Sequence, residues 1–107
     1  MLGYVIVDVD VTDPEAYTEY TSQVPATIEQ YGGRFLVRGG RYETLEGDWS
    51  PKRIVLIEFP SVEAAKRWYS SQEYQRIVPI RYGHAETTFF TVVEGVGPGP
   101  SRIRAGN

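Results

Sequence analysis

Arg38 and Arg53 are the residues whose type and placement best suit chemistry in this chain. A guanidinium is a permanent planar cation that holds a carboxylate or enolate through paired N–H donors. Each arginine stands in a strand-like apolar run, Phe35-Leu36-Val37-Arg38-Gly39-Gly40 and Lys52-Arg53-Ile54-Val55-Leu56. On neighbouring antiparallel strands the two would face one anion. The competing expectation is charge pairing with Asp8, Asp10 or Glu58, which leaves no open site. Trp68, Tyr69 and Tyr74 follow on a helical stretch. Their rings either wall a flat pocket containing a few polar groups or fill the space between helix and sheet. Arg81 is a third candidate, set against the expectation of a solvated cation at a helix end.

Other chemistries find little support. The chain has no cysteine, which excludes thiol nucleophiles, disulfides and thiolate metal sites. His84 is the single histidine, so no histidine-rich metal centre is expected, and no carboxylate spacing points to another. Gly39-Gly40 is not followed by the Lys-Ser/Thr of a phosphate-binding loop, and no serine sits in a nucleophile elbow. Neither a metal nor a cofactor is expected. The formal charge is -3 and no basic stripe appears, which argues against nucleic acid. No apolar run is long enough for a bilayer and no leader precedes the first strand, so the expectation is a cytoplasmic protein without membrane contact.

The elements that must position these residues follow from periodicity. Val5, Val7, Val9 and Val11 alternate with Tyr4, Ile6, Asp8 and Asp10, the mark of a β-strand over Leu2 to Val11. Asp13-Pro14-Glu15 opens a helix with a cap, a proline at the first position and an acid near the dipole's positive end. Tyr17, Tyr20, Val24, Ile28 and Tyr31 make its buried face, Pro25 kinks or breaks it, and Gly32-Gly33 ends it with residues suited to φ > 0. A second strand spans Arg34 to Arg41. A connection through Gly47-Asp48 carries Trp49, as a loop anchor or as a pocket cover. A third strand spans Lys52 to Phe59 with both faces largely apolar. Ser61 caps a second helix, Ser71 caps a further short piece reaching about Val78, and Pro79 and Gly83 close it. Ala85 to Glu94 is the fourth strand.

The order β-α-β-β-α-β is that of a ferredoxin-like α+β fold. The antiparallel sheet runs 4-1-3-2 with both helices on one face, and residues 1–95 form one domain. Residues 96–107 form a Gly/Pro-rich tail, expected to be irregular. The opposite sheet face carries apolar side chains whose exposure forfeits roughly 1.5–3 kcal/mol each. A second copy of the chain, giving a homodimer with a closed α/β barrel, is the expected cover.

The segments Tyr4-Val5-Ile6-Val7, Asp13-Pro14-Glu15, Gly32 to Gly40, Gly47-Asp48-Trp49-Ser50-Pro51, Arg53, Glu58-Phe59-Pro60-Ser61 and Trp68 to Tyr74 together resemble one family. It is the domain of unknown function 1330 family of small bacterial proteins, matched from about Leu2 to Gly95. The resemblance implies a subunit of the dimeric α/β-barrel superfamily and a homodimer, and it implies no reaction. Superfamily neighbours include cofactor-free monooxygenases, haem-degrading enzymes and small isomerases; carrying their activities over would be analogy from fold alone. His84 and the tail fall outside the matching pattern. Two readings follow. One is a small cofactor-free enzyme acting on an anionic or aromatic molecule. The other is a non-catalytic ligand-binding or assembly module.

Overall fold

The computed structural model describes residues 1–97, and residues 98–107, most of the expected tail, lie outside them. Four strands, β1 (Gly3–Val11), β2 (Arg34–Arg38), β3 (Ile54–Phe59) and β4 (Ala85–Glu94), form one antiparallel sheet in the order β2-β3-β1-β4. This is the expected order. The helices α1 (Pro14–Thr21), α2 (Val24–Glu29), α3 (Val62–Ser70), α4 (Gln72–Gln75) and α5 (Val78–His84) cover one face.

Local signals explain most boundaries. The Asp13 carboxylate accepts from the Ala16 amide at 3.2 Å and caps α1; Ser61 and Ser71 cap α3 and α4 through their hydroxyls. The break between α1 and α2 falls at Ser22-Gln23, and Pro25 sits in the first turn of α2, where its missing N–H costs nothing. Pro79 plays the same part in α5. Pro79 and Gly83 therefore do not close a helix, as the sequence suggests; both lie within α5. The second strand stops at Arg38 rather than Arg41, and the third begins at Ile54 rather than Lys52. At the end of α2, Gly32 takes φ +78°, whereas Gly33 serves close packing. A Cβ on Gly33 would stand 2.6 Å from the Phe59 ring.

The core lies between the sheet and the helices. Val5, Val7 and Val9 from β1, Ile57 and Phe59 from β3, Ile28 from α2 and Trp68 from α3 are all buried in it. Trp68 is its centre: its ring stands 4.2 Å from that of Tyr74 and 5.3 Å from that of Phe59, and its indole N–H donates to Thr27 Oγ1 at 3.0 Å.

Two register shifts decide which side chains face the helices. In β2, Phe35 pairs with Ile57 and Val37 with Leu56, leaving Leu36 as an extra residue. Strict alternation would put Phe35 and Arg38 on opposite faces. The bulge returns Arg38 to the helix side, across from Val55. In β4, Phe89 pairs with Asp8 and Thr87 with Val9, so Thr88 is extra and Thr87 turns to the same side.

The other sheet face carries Tyr4, Ile6, Ile54, Leu56, Val37 and Val93, with Arg34 bridging Glu58 at 3.0 Å. At one end Trp49 reaches over this face. Its indole donates to Asp8 Oδ2 at 3.1 Å and its ring lies 5.8 Å from that of Phe89. Trp49 is thus an anchor for the β2–β3 connection.

Candidate functional site

Between α1, the end of β1 and the start of the β2–β3 connection lies an open groove of about 700 Å³. Its walls include Asp10, Pro14, Tyr17, Arg41, Tyr42 and Lys52. Val9, Tyr17, Thr21 and Arg53 also line a smaller inner chamber of about 40 Å³, so the two spaces adjoin. The chamber lies between sheet and helices and brings together Arg38, Arg53 and Arg81, with Tyr20, Trp68 and Phe90 among its other walls. Among the described residues no aspartate, glutamate or histidine lines it.

Each cation reaches the chamber by a different device. Arg38 depends on the β2 bulge. Its guanidinium lies 4.4 Å from the centre of the Phe35 ring and donates through Nη2 to the Thr21 carbonyl at 2.6 Å. Arg53 lies two residues before Val55, the cross-strand partner of Arg38, and lies against Gly39. Gly39 has φ +71°, and a Cβ there would meet Arg53 Nη1 at 2.7 Å, so glycine both makes the turn and clears space for the guanidinium.

Arg81 corrects the sequence reading: it is not a solvated helix-end cation but is only 3% exposed. The turn of α5 directs it back under the sheet edge. There its Nη1 donates to Thr87 Oγ1 at 2.5 Å, and its guanidinium lies 4.8 Å from the Phe90 ring centre and 5.0 Å from that of Tyr82. Its Nε has no hydrogen-bond partner. No carboxylate bridges it among the described residues, where Arg34 pairs with Glu58 and the Asp13 carboxylate lies beside His84.

The carboxylates expected to neutralise Arg38 are engaged elsewhere. Asp8 accepts from the Lys52 and Arg53 amides at 2.9 and 3.2 Å and from the Trp49 indole, and Glu58 bridges Arg34. Burial works to raise the Asp8 pKa, but these hydrogen bonds outweigh it and the carboxyl titrates below its ordinary range. Asp10 stands in the wall of the outer groove without bridging Arg38.

The three aromatic candidates separate. Trp68 lines the chamber with part of its buried ring. Tyr74 is fully buried behind it, its hydroxyl 2.5 Å from that of Tyr20. Tyr69 is 37% exposed and faces another groove, beside Val5, Phe90 and Val92. Burial raises the phenol pKa values of Tyr17, Tyr20 and Tyr74, and the Arg81 guanidinium pulls each back only in part, so all three are protonated donors near neutral pH. Burial also works to lower the Arg81 pKa, but the Tyr74 and Tyr20 phenols outweigh it and the guanidinium stays charged. His84 lies away from the chamber, its Nδ1 3.8 Å from Asp13 Oδ2. Among the described residues no three His, Asp or Glu gather as metal ligands, and no helix is long and apolar enough to cross a membrane.

The residue missed at the sequence level is Tyr20, while Arg81, a third candidate there, is misplaced as a solvated helix end. Tyr20 was visible as one member of the buried face of the first helix. The burial of Arg81 carried no signal, since Tyr82, Gly83 and His84 around it read as a helix end.

This sheet order, with every helix on one side, defines a small ferredoxin-like α+β fold. Residues 2–96 match the family model described as Domain of unknown function (DUF1330), and the chain belongs to that family. Solved structures agree on the fold. A protein of unknown function from Rhodopseudomonas palustris superposes with a TM-score of 0.67 at 19% identity, covering 91% of this chain and 84% of that one. A cofactor-independent oxygenase from Streptomyces nogalater gives 0.60 at 10% identity, covering 94% and 98%. A putative antibiotic biosynthesis monooxygenase from Nitrosomonas europaea gives 0.54 at 16% identity, covering 91% and 100%. No curated protein matches the chain in sequence.

Proposed function

We propose that the chain binds a small aromatic anion in the arginine-lined cleft and acts on it as an enzyme without metal or prosthetic group. The observation that carries this reading is the convergence of Arg38, Arg53 and Arg81 on a chamber with no carboxylate in its lining. Arg81 is a desolvated guanidinium without counter-charge, which is costly, and an anionic ligand repays that cost, with the half-buried Arg53 and the exposed Arg38 adding charge at the rim. Positive charge held in an apolar recess also stabilises an oxyanion as it develops, with little reorganisation. Asp10, the one carboxylate in the wall of the outer groove, is the group placed to take a proton. The fold shared with a cofactor-independent oxygenase adds analogy to this reading.

Arg53→Met tests the binding site. Wild-type protein should bind small aryl carboxylates in calorimetry, and the variant should lose that binding while its melting temperature stays within a few degrees. Equal binding by both proteins would remove the arginines from the site. A second reading, a ligand-binding module without turnover, is favoured by the absence of any histidine or carboxylate from the chamber wall. Asp10→Asn separates the two: the enzyme loses turnover and keeps ligand affinity, whereas a binding module has no turnover to lose.

The same reading includes a homodimer through the open sheet face. Ile6 and Leu56 at its centre and the exposed Leu36 and Val93 toward its edges support it. Such an interface would bury on the order of 1,200–2,000 Å². Sedimentation should show a dimer at micromolar concentration and a monomer for Leu56→Lys. A wild-type monomer would exclude it.

A further inference from the structure

We infer that the inner chamber is a seat for a planar carboxylate, held by Arg81 and the Tyr20 hydroxyl, while an aryl body occupies the outer groove. This rests on the reading of the cleft as an anion site and specifies its ligand. Four observations carry it.

The first is Arg81 itself. It lines the chamber, is 3% exposed and, among the described residues, has no carboxylate partner and keeps an unpartnered Nε–H. Thr87 takes one of its donors, the Tyr74 hydroxyl is a second neutral acceptor beside it, and two aromatic faces lie against the guanidinium, so no contact neutralises its charge. A buried cation left in this state is matched to a group that is not part of the chain.

The second is the count of protons on the tyrosine pair. The hydroxyls of Tyr20 and Tyr74 stand 2.5 Å apart, so one proton lies between them. Tyr74 is 0% exposed and does not line the chamber. If Tyr20 were the donor, the Tyr74 proton would be stranded in the core at the cost of an unmade hydrogen bond. Tyr74 therefore donates to Tyr20. The Tyr20 proton is then free for the chamber that Tyr20 lines.

The third is polarity. The charged and phenolic groups of the chamber wall, Arg38, Arg53, Arg81, Tyr17 and Tyr20, offer donors toward a ligand and include no carboxylate acceptor. Their complement is an anion that only accepts.

The fourth is size. A chamber of about 40 Å³ has room for on the order of three water-sized atoms. That suits the O–C–O of a carboxylate and is short for the five heavy atoms of a phosphate. The outer groove, about 700 Å³ with Pro14, Tyr17 and Tyr42 in its walls, takes a ring.

Calorimetry on the full chain tests this with benzoate, benzamide, 4-nitrophenolate and inorganic phosphate as probes, beside Tyr20→Phe, Arg81→Gln and Arg53→Met. Benzoate should bind; benzamide and phosphate should not. Tyr20→Phe should weaken benzoate about tenfold, the loss of one hydrogen bond to a charged group, and Arg81→Gln should weaken it more. Melting curves establish that the variants fold, and Tyr20→Phe decides the matter if Arg81→Gln does not. Benzoate binding that needs Arg53 but ignores Tyr20 and Arg81 would overturn this inference and leave the anion site standing. Phosphate binding as tightly as benzoate would overturn it too, as would 4-nitrophenolate binding without benzoate. Binding of no anion would remove both readings together.

Discussion

Trp68→Ala should lower the stability of the fold by about 3–5 kcal/mol, the range for a large aromatic removed from a packed core. The ring is 1% exposed, lies against Phe59, Tyr74 and Phe90, and its N–H is taken by Thr27. Truncation opens a cavity at the junction of α3, β3 and β4 and strands the buried Thr27 hydroxyl's acceptor side. The midpoint of urea unfolding measures the loss, and Trp68→Phe should recover more than half of it. A loss below about 1 kcal/mol would mean that the core closes over the gap, contrary to the packing described above. Stability should suffer in the absence of any ligand, which distinguishes Trp68 from a residue serving the cleft alone.

Asp8→Ala should cost about 3 kcal/mol near neutral pH, because one carboxylate satisfies the Lys52 and Arg53 amides and the Trp49 indole. Its effect should also depend on pH. The folded-state pKa of Asp8 is lowered by these hydrogen bonds, against the opposing pull of burial. Such a group stabilises fully above its unfolded pKa, near 4, and the contribution fades as pH falls through the folded value. Unfolding free energies measured from pH 7 downward should therefore drop below about pH 4 in the wild type and less steeply in Asp8→Ala. Parallel acid limbs would show that Asp8 does not carry the transition. Trp49 fluorescence should report release of the connection in the variant, since the indole loses its acceptor.

Much of this architecture is legible in the sequence because its signals are local. β-branched residues at period two mark β1, and Asp13, Ser61 and Ser71 announce helix starts that their hydroxyl or carboxylate oxygens then make. Strand β4 has the expected bounds, since Ala85 to Glu94 is rich in Thr, Phe and Val. The candidate site is legible only in part. Arg38, Arg53 and Trp68 meet at one chamber, but Tyr69 and Tyr74 do not line it. Along an irregular helical stretch the direction of each ring depends on where α3 gives way to α4, and composition does not show that. Arg81 was hidden for another reason. A buried cation without a counter-charge goes against the rules by which a sequence is read, and such contradictions gather where a protein binds something.

The bulge in β2 sets a condition on length rather than on chemistry. One supernumerary residue, Leu36, changes the parity of the strand, and everything after it is read on the reverse side. Exchanging Leu36 for another side chain leaves the parity alone. Flattening the bulge at full length would carry Arg38 out of the cleft and onto the open face among Leu56 and Ile54, with its own chemistry unaltered, whereas deleting Leu36 closes the bulge and leaves Arg38 across from Val55. For this strand the number of places paired along β3, and not the number of residues, decides the face that Arg38 takes, and a few residues more or less in the long connection after Gly39 leave that number unaffected.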